Sequence, residues 1–187
     1  SVYFPWPKIV IEKFYKPIGE ALESTNLGSK AILVVDYDGF VPYRCKFTHI
    51  DPVGLTDNVL SGRNPINVME RERYIWSKNP DVYIGPVPPA SPGAENYLDD
   101  PIFQTDFGKN VLLKPPTEGP YYLTYGKLTY QERCDAIHLR MRELRDNWYL
   151  LGDIQYPVLP NPLYTQFIFV RNGSPYREQL VKALETI

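Results

Sequence analysis

Apolar positions along the chain change their period several times, and each change predicts an element. Phe14, Ile18, Ala21 and Leu22 recur at spacings of three and four. That spacing predicts a helix over 13–24, with Pro17 fitting only its first turn. The stretch Asn26-Leu27-Gly28-Ser29 then stops it. From Ala31 the texture becomes a β run, Ala-Ile-Leu-Val-Val-Asp-Tyr, followed by Asp38-Gly39. Residues 40–50 alternate through Val41, Tyr43, Cys45, Phe47 and His49. Asp-Gly between two β runs predicts a β-hairpin over 31–50.

The middle of the chain is less regular. Residues 51–65 are rich in turn formers, and 66–76 fit either a strand or a short helix. A short strand is expected over 81–85. Residues 86–101 hold five prolines, which removes too many backbone donors for a central strand. This segment reads as an irregular loop, with Glu95, Asp99 and Asp100 exposed. Two further strands are expected over 110–114 and 121–125, on either side of a Pro-Pro-Thr-Glu-Gly-Pro turn.

The last third is clearer. Thr129-Tyr-Gln-Glu132 fits a capping box, in which the hydroxyl accepts an amide and the Glu reaches back. Cys134, Ile137, His138, Met141, Leu144 and Trp148 follow at helical spacing, and Arg133, Arg140, Arg142, Glu143 and Asp146 fall mostly on the other side. Gly152, or the prolines after it, would end this helix. A strand is expected over 164–170. Ser174-Pro175 places a cap and then a proline at the start of a final helix reaching about Thr186. Tyr176, Leu180, Val181 and Leu184 line one face of that helix. The expected fold is α+β, with a mixed or antiparallel sheet in residues 1–126 and a helix-strand-helix module over 127–187. A long proline-rich loop over 86–120 belongs to the first of these units.

Composition narrows the class. The 187 residues are 43% hydrophobic, enough for a core in one domain or in one domain and a small appendage. The net charge is -2, and neither half is strongly basic, so nucleic acid is not an expected partner. No apolar run approaches the ~20 residues of a membrane helix, so no membrane partner is expected. The start, Ser-Val-Tyr-Phe-Pro-Trp-Pro, lacks the pattern of a signal peptide and reads as a start whose Met was removed. Two cysteines make no disulfide framework, although one bridge could form, and a reducing compartment is the default. Proline at 19 residues is about twice its usual share and accompanies 15 tyrosines. That combination suggests long ordered loops of a kind found in proteins held by neighbours in an assembly.

Three constellations could carry chemistry. Val35-Asp36-Tyr37-Asp38-Gly39 resembles the nucleophile motif of haloacid-dehalogenase-type phosphotransferases, where one Asp attacks phosphorus, a second acts as general acid/base and Mg²⁺ bridges them. Phe40 stands where that motif has Thr or Val, and the motif needs a following loop and helix where residues 40–50 alternate like a strand. The bland reading is a hairpin turn. Next, every Cys and His in the chain belongs to one of two Cys-x3-His pairs, Cys45 with His49 and Cys134 with His138. Brought together, the pairs would form a Cys₂His₂ zinc set. Their bland reading is four half-buried residues on apolar faces. A Cys/His nucleophile is the third, and it lacks a readable orienting group.

Residues 142–184 carry a resemblance. Arg145, Asp146, Leu150 and Leu151 are followed by Asp153, Gln155 and Pro157, then Pro162-Leu163, then Tyr176-Arg177-Glu178-Gln179-Leu180. This order resembles the C-terminal module of phage tail assembly chaperones and tail-fibre-associated proteins. Ile154 replaces that family's Trp, and the family is polar and helical where 164–170 reads as a strand. The resemblance implies a virion protein assembled in the host cytoplasm, a non-enzymatic structural or adaptor part of a tail, fibre or baseplate. Its expected partners are other virion subunits or further copies of itself. The expected contact residues are Trp148, Leu151, Tyr176, Leu180 and Leu184. A supernumerary subunit of a large cellular complex and an Mg-dependent phosphotransferase using Asp36 and Asp38 are the alternatives.

Overall fold

The structure, a computed structural model, describes residues 11–35, 39–52, 59–60, 67–106, 108–109, 128–154 and 166–187. The fold is α+β, with a mixed five-stranded sheet in the order β2-β1-β3-β5-β4. Its strands are β1 (Ile32–Val35), β2 (Thr48–Ile50), β3 (Val82–Gly85), β4 (Trp148–Ile154) and β5 (Gln166–Arg171). β1 lies parallel to both β2 and β3, and β5 lies antiparallel to both β3 and β4. The C-terminal part therefore adds its two strands to the sheet that the N-terminal half begins. The strands expected over 110–114 and 121–125 fall outside the described residues.

Alternation along the strands divides the core into two layers, because successive side chains point to opposite faces. Val34, Tyr83 and Phe169 enter one cluster with α3 (Val68–Ser77) and α4 (Tyr130–Asn147). Leu33, Val35, Val82, Ile84, Ile168 and Val170 enter the other. Packed on that second face are α1 (Lys16–Ser24), α2 (Phe40–Cys45) and α5 (Arg177–Leu184). Leu33, Val34 and Val35 are all buried, as a strand covered on both faces requires.

The hairpin expected over 31–50 is not formed. Residues 40–45 are α2, and β2 returns parallel to β1. Pro42 explains the difference. It supplies no strand hydrogen bond, but it fits the first turn of a helix. In that helix Val41 and Cys45 fall four apart and are both buried, while Tyr43 faces solvent. Lys46 then closes α2 in the left-handed conformation, with φ at 61°.

Other expectations hold or shift at their edges. Helix α1 ends where expected, with Asn26 and Gly28 at positive φ just beyond it. A π-helical turn, Ile11–Tyr15, precedes it. Residues 66–76 resolve into α3. Asn67 caps that helix by accepting the Glu70 amide at 2.9 Å, and the Glu70 carboxylate accepts the Asn67 amide at 3.1 Å. The capping box at Thr129 forms as read, with N–H···O distances of 3.2 and 2.7 Å. Helix α4 does not run to Gly152. It stops at Asn147, and Trp148 turns extended because the apolar run from Trp148 to Leu151 joins β4 beside β5. The last helix begins at Arg177, and Ser174 sits just before it, its hydroxyl accepting the Tyr176 amide at 3.1 Å.

Candidate functional site

A group of buried polar side chains lies on the α3–α4 side of the sheet. Segment 86–104 crosses this face, with Val87, Ala90 and Phe103 in its core. The Ala90 amide bonds the Met141 carbonyl of α4 at 2.9 Å. Within the segment Asp100 is fully buried, which corrects the expectation that it is exposed. Its Oδ1 accepts the Ser91 hydroxyl at 2.7 Å and the Ile102 amide at 3.2 Å, and its Oδ2 accepts the Ser91 amide at 3.0 Å. The loop thus folds around its own carboxylate, a use of Asp that turn-forming segments favour. Glu95 and Asp99 are exposed, as expected.

His138 of α4 reaches the same carboxylate. Its Nε2 lies 3.5 Å from Asp100 Oδ2, at the outer limit of hydrogen bonding. Among the described residues Nε2 has no hydrogen-bond partner, and the residue is 2% exposed. Burial pushes the imidazole pKa below the usual histidine range, and the Asp100 charge opposes this without overcoming it. Burial would raise Asp100, but the hydrogen bonds from Ser91 and Ile102 outweigh it and hold the carboxyl below its usual range. The pair therefore stands as carboxylate and neutral imidazole.

A second buried pair lies on the same face. Arg140 of α4 grips Glu72 of α3 with two bonds, Nη2 to Oε1 at 2.6 Å and Nε to Oε2 at 3.1 Å. The Trp76 indole donates to the same carboxylate at 3.2 Å. Arg71 donates to the carbonyls of Leu60 and Pro52 and fastens the chain beyond β2. Arg140 was expected on the charged outer face of its helix and is buried instead, drawn inward by the Glu72 carboxylate, while Glu72 and Arg71 did not stand out in the sequence. The three-residue spacing of Asn67 and Glu70, the α3 capping box, was the available signal, since it would have fixed Glu72 on a helix.

The four Cys and His residues do not converge. Cys134 and His138 are one turn apart on α4, in the first core layer, and Cys45 is buried in the second layer across the sheet. His49 lies on β2, with Nε2 3.2 Å from the Val35 carbonyl. Zinc ligands must lie within about 2.0–2.3 Å of one point, so this separation breaks the expected tetrahedron. Among the described residues no three His, Cys, Asp or Glu side chains are grouped to hold a metal. Both cysteines are unpaired, and burial pushes each thiol up, away from the thiolate that a nucleophile needs.

The expected contact residues mostly face inward. Trp148, Leu180 and Leu184 are buried in the core, and Leu151 and Tyr176 pack against the second cluster while keeping some exposure. What faces outward is the edge they border. β4 is an outer strand of the sheet, and its Tyr149 and Leu150 are 40% and 38% exposed. Arg177 lies over the Tyr149 ring at 5.1 Å. A register shift between Leu150 and Gly152 bends this strand.

Inside the sheet, the adjacent strands β1 and β3 send their chains to opposite faces. β1 leads to α2 on one side, and β3 leads to segment 86–104 on the other. The carboxyl ends of such neighbouring strands frame a crevice in α/β sheets. Asp36 and Asp38 follow β1 in the chain but lie outside the described residues. Among the described residues no helix is long and apolar enough to cross a membrane. Neither known protein families, curated proteins nor solved structures match the chain.

Proposed function

We propose that the chain is a non-enzymatic structural or adaptor subunit that joins further copies of itself or other subunits through the outer edge of β4. The observation that carries this reading is a seven-residue edge strand presenting Tyr149 and Leu150 to solvent. An edge strand offers a row of backbone donors and acceptors to another strand, and exposed apolar side chains strengthen the pairing. The proposed contact thus moves from the expected Leu180 and Leu184, which hold α5 in the core, to Tyr149 and Leu150 on β4. A bacteriophage tail, fibre or baseplate component is the specific form of this proposal, and it leans on the motif over 142–184. The burial of β5 weighs against that specific form, because the family resembled there is polar and helical. A supernumerary subunit of a cellular complex fits the same edge.

Light scattering of the purified chain over a wide concentration range tests the proposal. Self-association that Leu150→Lys abolishes, with the circular dichroism spectrum unchanged, is the expected result. A monomer at every concentration that also forms no complex with the products of neighbouring genes would overturn it.

One observation favours a second reading, an Mg-dependent phosphotransferase using Asp36 and Asp38. Helix α2 follows in the chain, the kind of continuation that the phosphotransferase motif needs, and β2 then lies parallel to β1, which a hairpin would deny. Phosphatase assays with Mg²⁺ on the wild type and Asp36→Asn decide it. Activity lost in the variant would support the reading, and the absence of activity in the wild type, or activity equal in both, would remove it.

A further inference from the structure

A buried histidine facing a buried carboxylate can be held in one protonation state by the fold, and the fold then responds when that state changes. His138 and Asp100 meet this description, and the contact joins two parts of the molecule far apart in sequence. Asp100 belongs to segment 86–104, and His138 to α4. The Phe103 ring packs edge-on against the imidazole at 5.9 Å. We propose that the Asp100–His138 contact is a proton-sensitive latch: with His138 neutral it keeps segment 86–104 seated on α4, and a proton taken up by His138 loosens that segment. This inference does not depend on what the β4 edge binds.

Burial of the ring sets the direction, and the charges around it modify it. Asp100 is the acid facing it from the loop, and it favours the charged ring. Arg142 and Arg145 on α4 itself oppose the charge. Glu95 on the loop pairs with both arginines, at 3.7 and 3.3 Å, and Glu72 on α3 is held by Arg140. Cys134, one turn away on α4, keeps a neutral thiol. Loss of solvation around the ring is the largest effect, and the folded protein holds His138 less basic than the unfolded chain does. The unfolded or opened chain therefore takes up the proton first as pH falls. Stability from this group is complete above the ordinary histidine value of about 6.5 and is lost as pH falls through the lower folded value.

The latch has a local reporter in the Ala90 amide, which bonds Met141 of α4. Its native-state hydrogen exchange, corrected for the intrinsic effect of pH, should lose protection as pH falls below about 6.5, by up to about tenfold per unit, the limit for one proton. His138→Gln should flatten that profile. A flat wild-type profile, or an equal fall in the variant, would overturn the proposal. Should the variant not fold, proton resonance of the imidazoles in the wild-type chain decides, with His49→Gln identifying the two rings. His138 is expected to titrate below about 6.5, and titration at or above that value contradicts the latch. Asp100→Asn removes a charge that favours the protonated ring, so it should move the His138 titration lower still, and an upward move would count equally against the proposal.

Discussion

The two faces of the sheet solve burial differently. The face covered by α1, α2 and α5 is filled by Phe14, Ile18, Leu22, Leu33, Ile84, Leu180 and similar side chains. The face covered by α3 and α4 also has an apolar core, and it encloses Glu72, Arg140, Arg71, Asp100 and His138. Apolar burial is insensitive to direction and to pH, whereas a buried charge is tolerated only while its partner stays in place. One face should therefore fail gradually when trimmed, and the other abruptly when a single polar partner is removed.

The largest expected effect is on the polar face. Glu72→Ala leaves the Arg140 guanidinium buried without its carboxylate, and about 3–5 kcal/mol of stability should be lost. Replacing both residues with Leu should recover most of that loss in urea unfolding, because a matched apolar pair leaves no charge to bury. A single variant as stable as the wild type would erase the distinction between the faces. On the apolar face, Leu180→Ala should cost roughly 3 kcal/mol through lost burial and the cavity left behind. Its cost should be the same at high and low salt, and a strong salt dependence would show that this face also relies on charge.

Much of this architecture could be read from side-chain order, and the parts that could not have identifiable causes. The Thr129 capping box, the buried stripe of α4 and the all-apolar β1 follow from local rules that the fold leaves intact. Residues 40–50 misled because Val41, Tyr43 and Cys45 alternate like a strand while also placing Val41 and Cys45 one helical turn apart. Pro42 was the residue able to decide between the two. Asp100 looked exposed because it neighbours Asp99 in a proline-rich loop. Its burial depends on Ser91, nine residues earlier, which local pattern cannot reveal. Glu72 and Arg140 are 68 residues apart, so their pairing belongs to the tertiary fold alone. Cys45 and Cys134 had symmetrical spacing to their histidines, but the sheet lies between them.

A smaller effect sharpens the same comparison at the start of α4. Thr129→Ala removes the hydroxyl that accepts the Glu132 amide and should cost about 1 kcal/mol in thermal unfolding. This cap is exposed, so its loss should remain well below that of Glu72→Ala. A greater loss at the cap would mean that α4 is held by its end more than by its buried pair.

The central functional claim concerns neither face but the edge between them. Hydrogen exchange of the amides over 148–154, measured in dilute and in concentrated protein, tests it most directly. If β4 pairs with another strand, those amides gain protection as concentration rises, while the already paired amides of β3 stay unchanged. Equal exchange of the 148–154 amides at both concentrations, in a sample that nonetheless associates, would place the contact elsewhere and contradict the account.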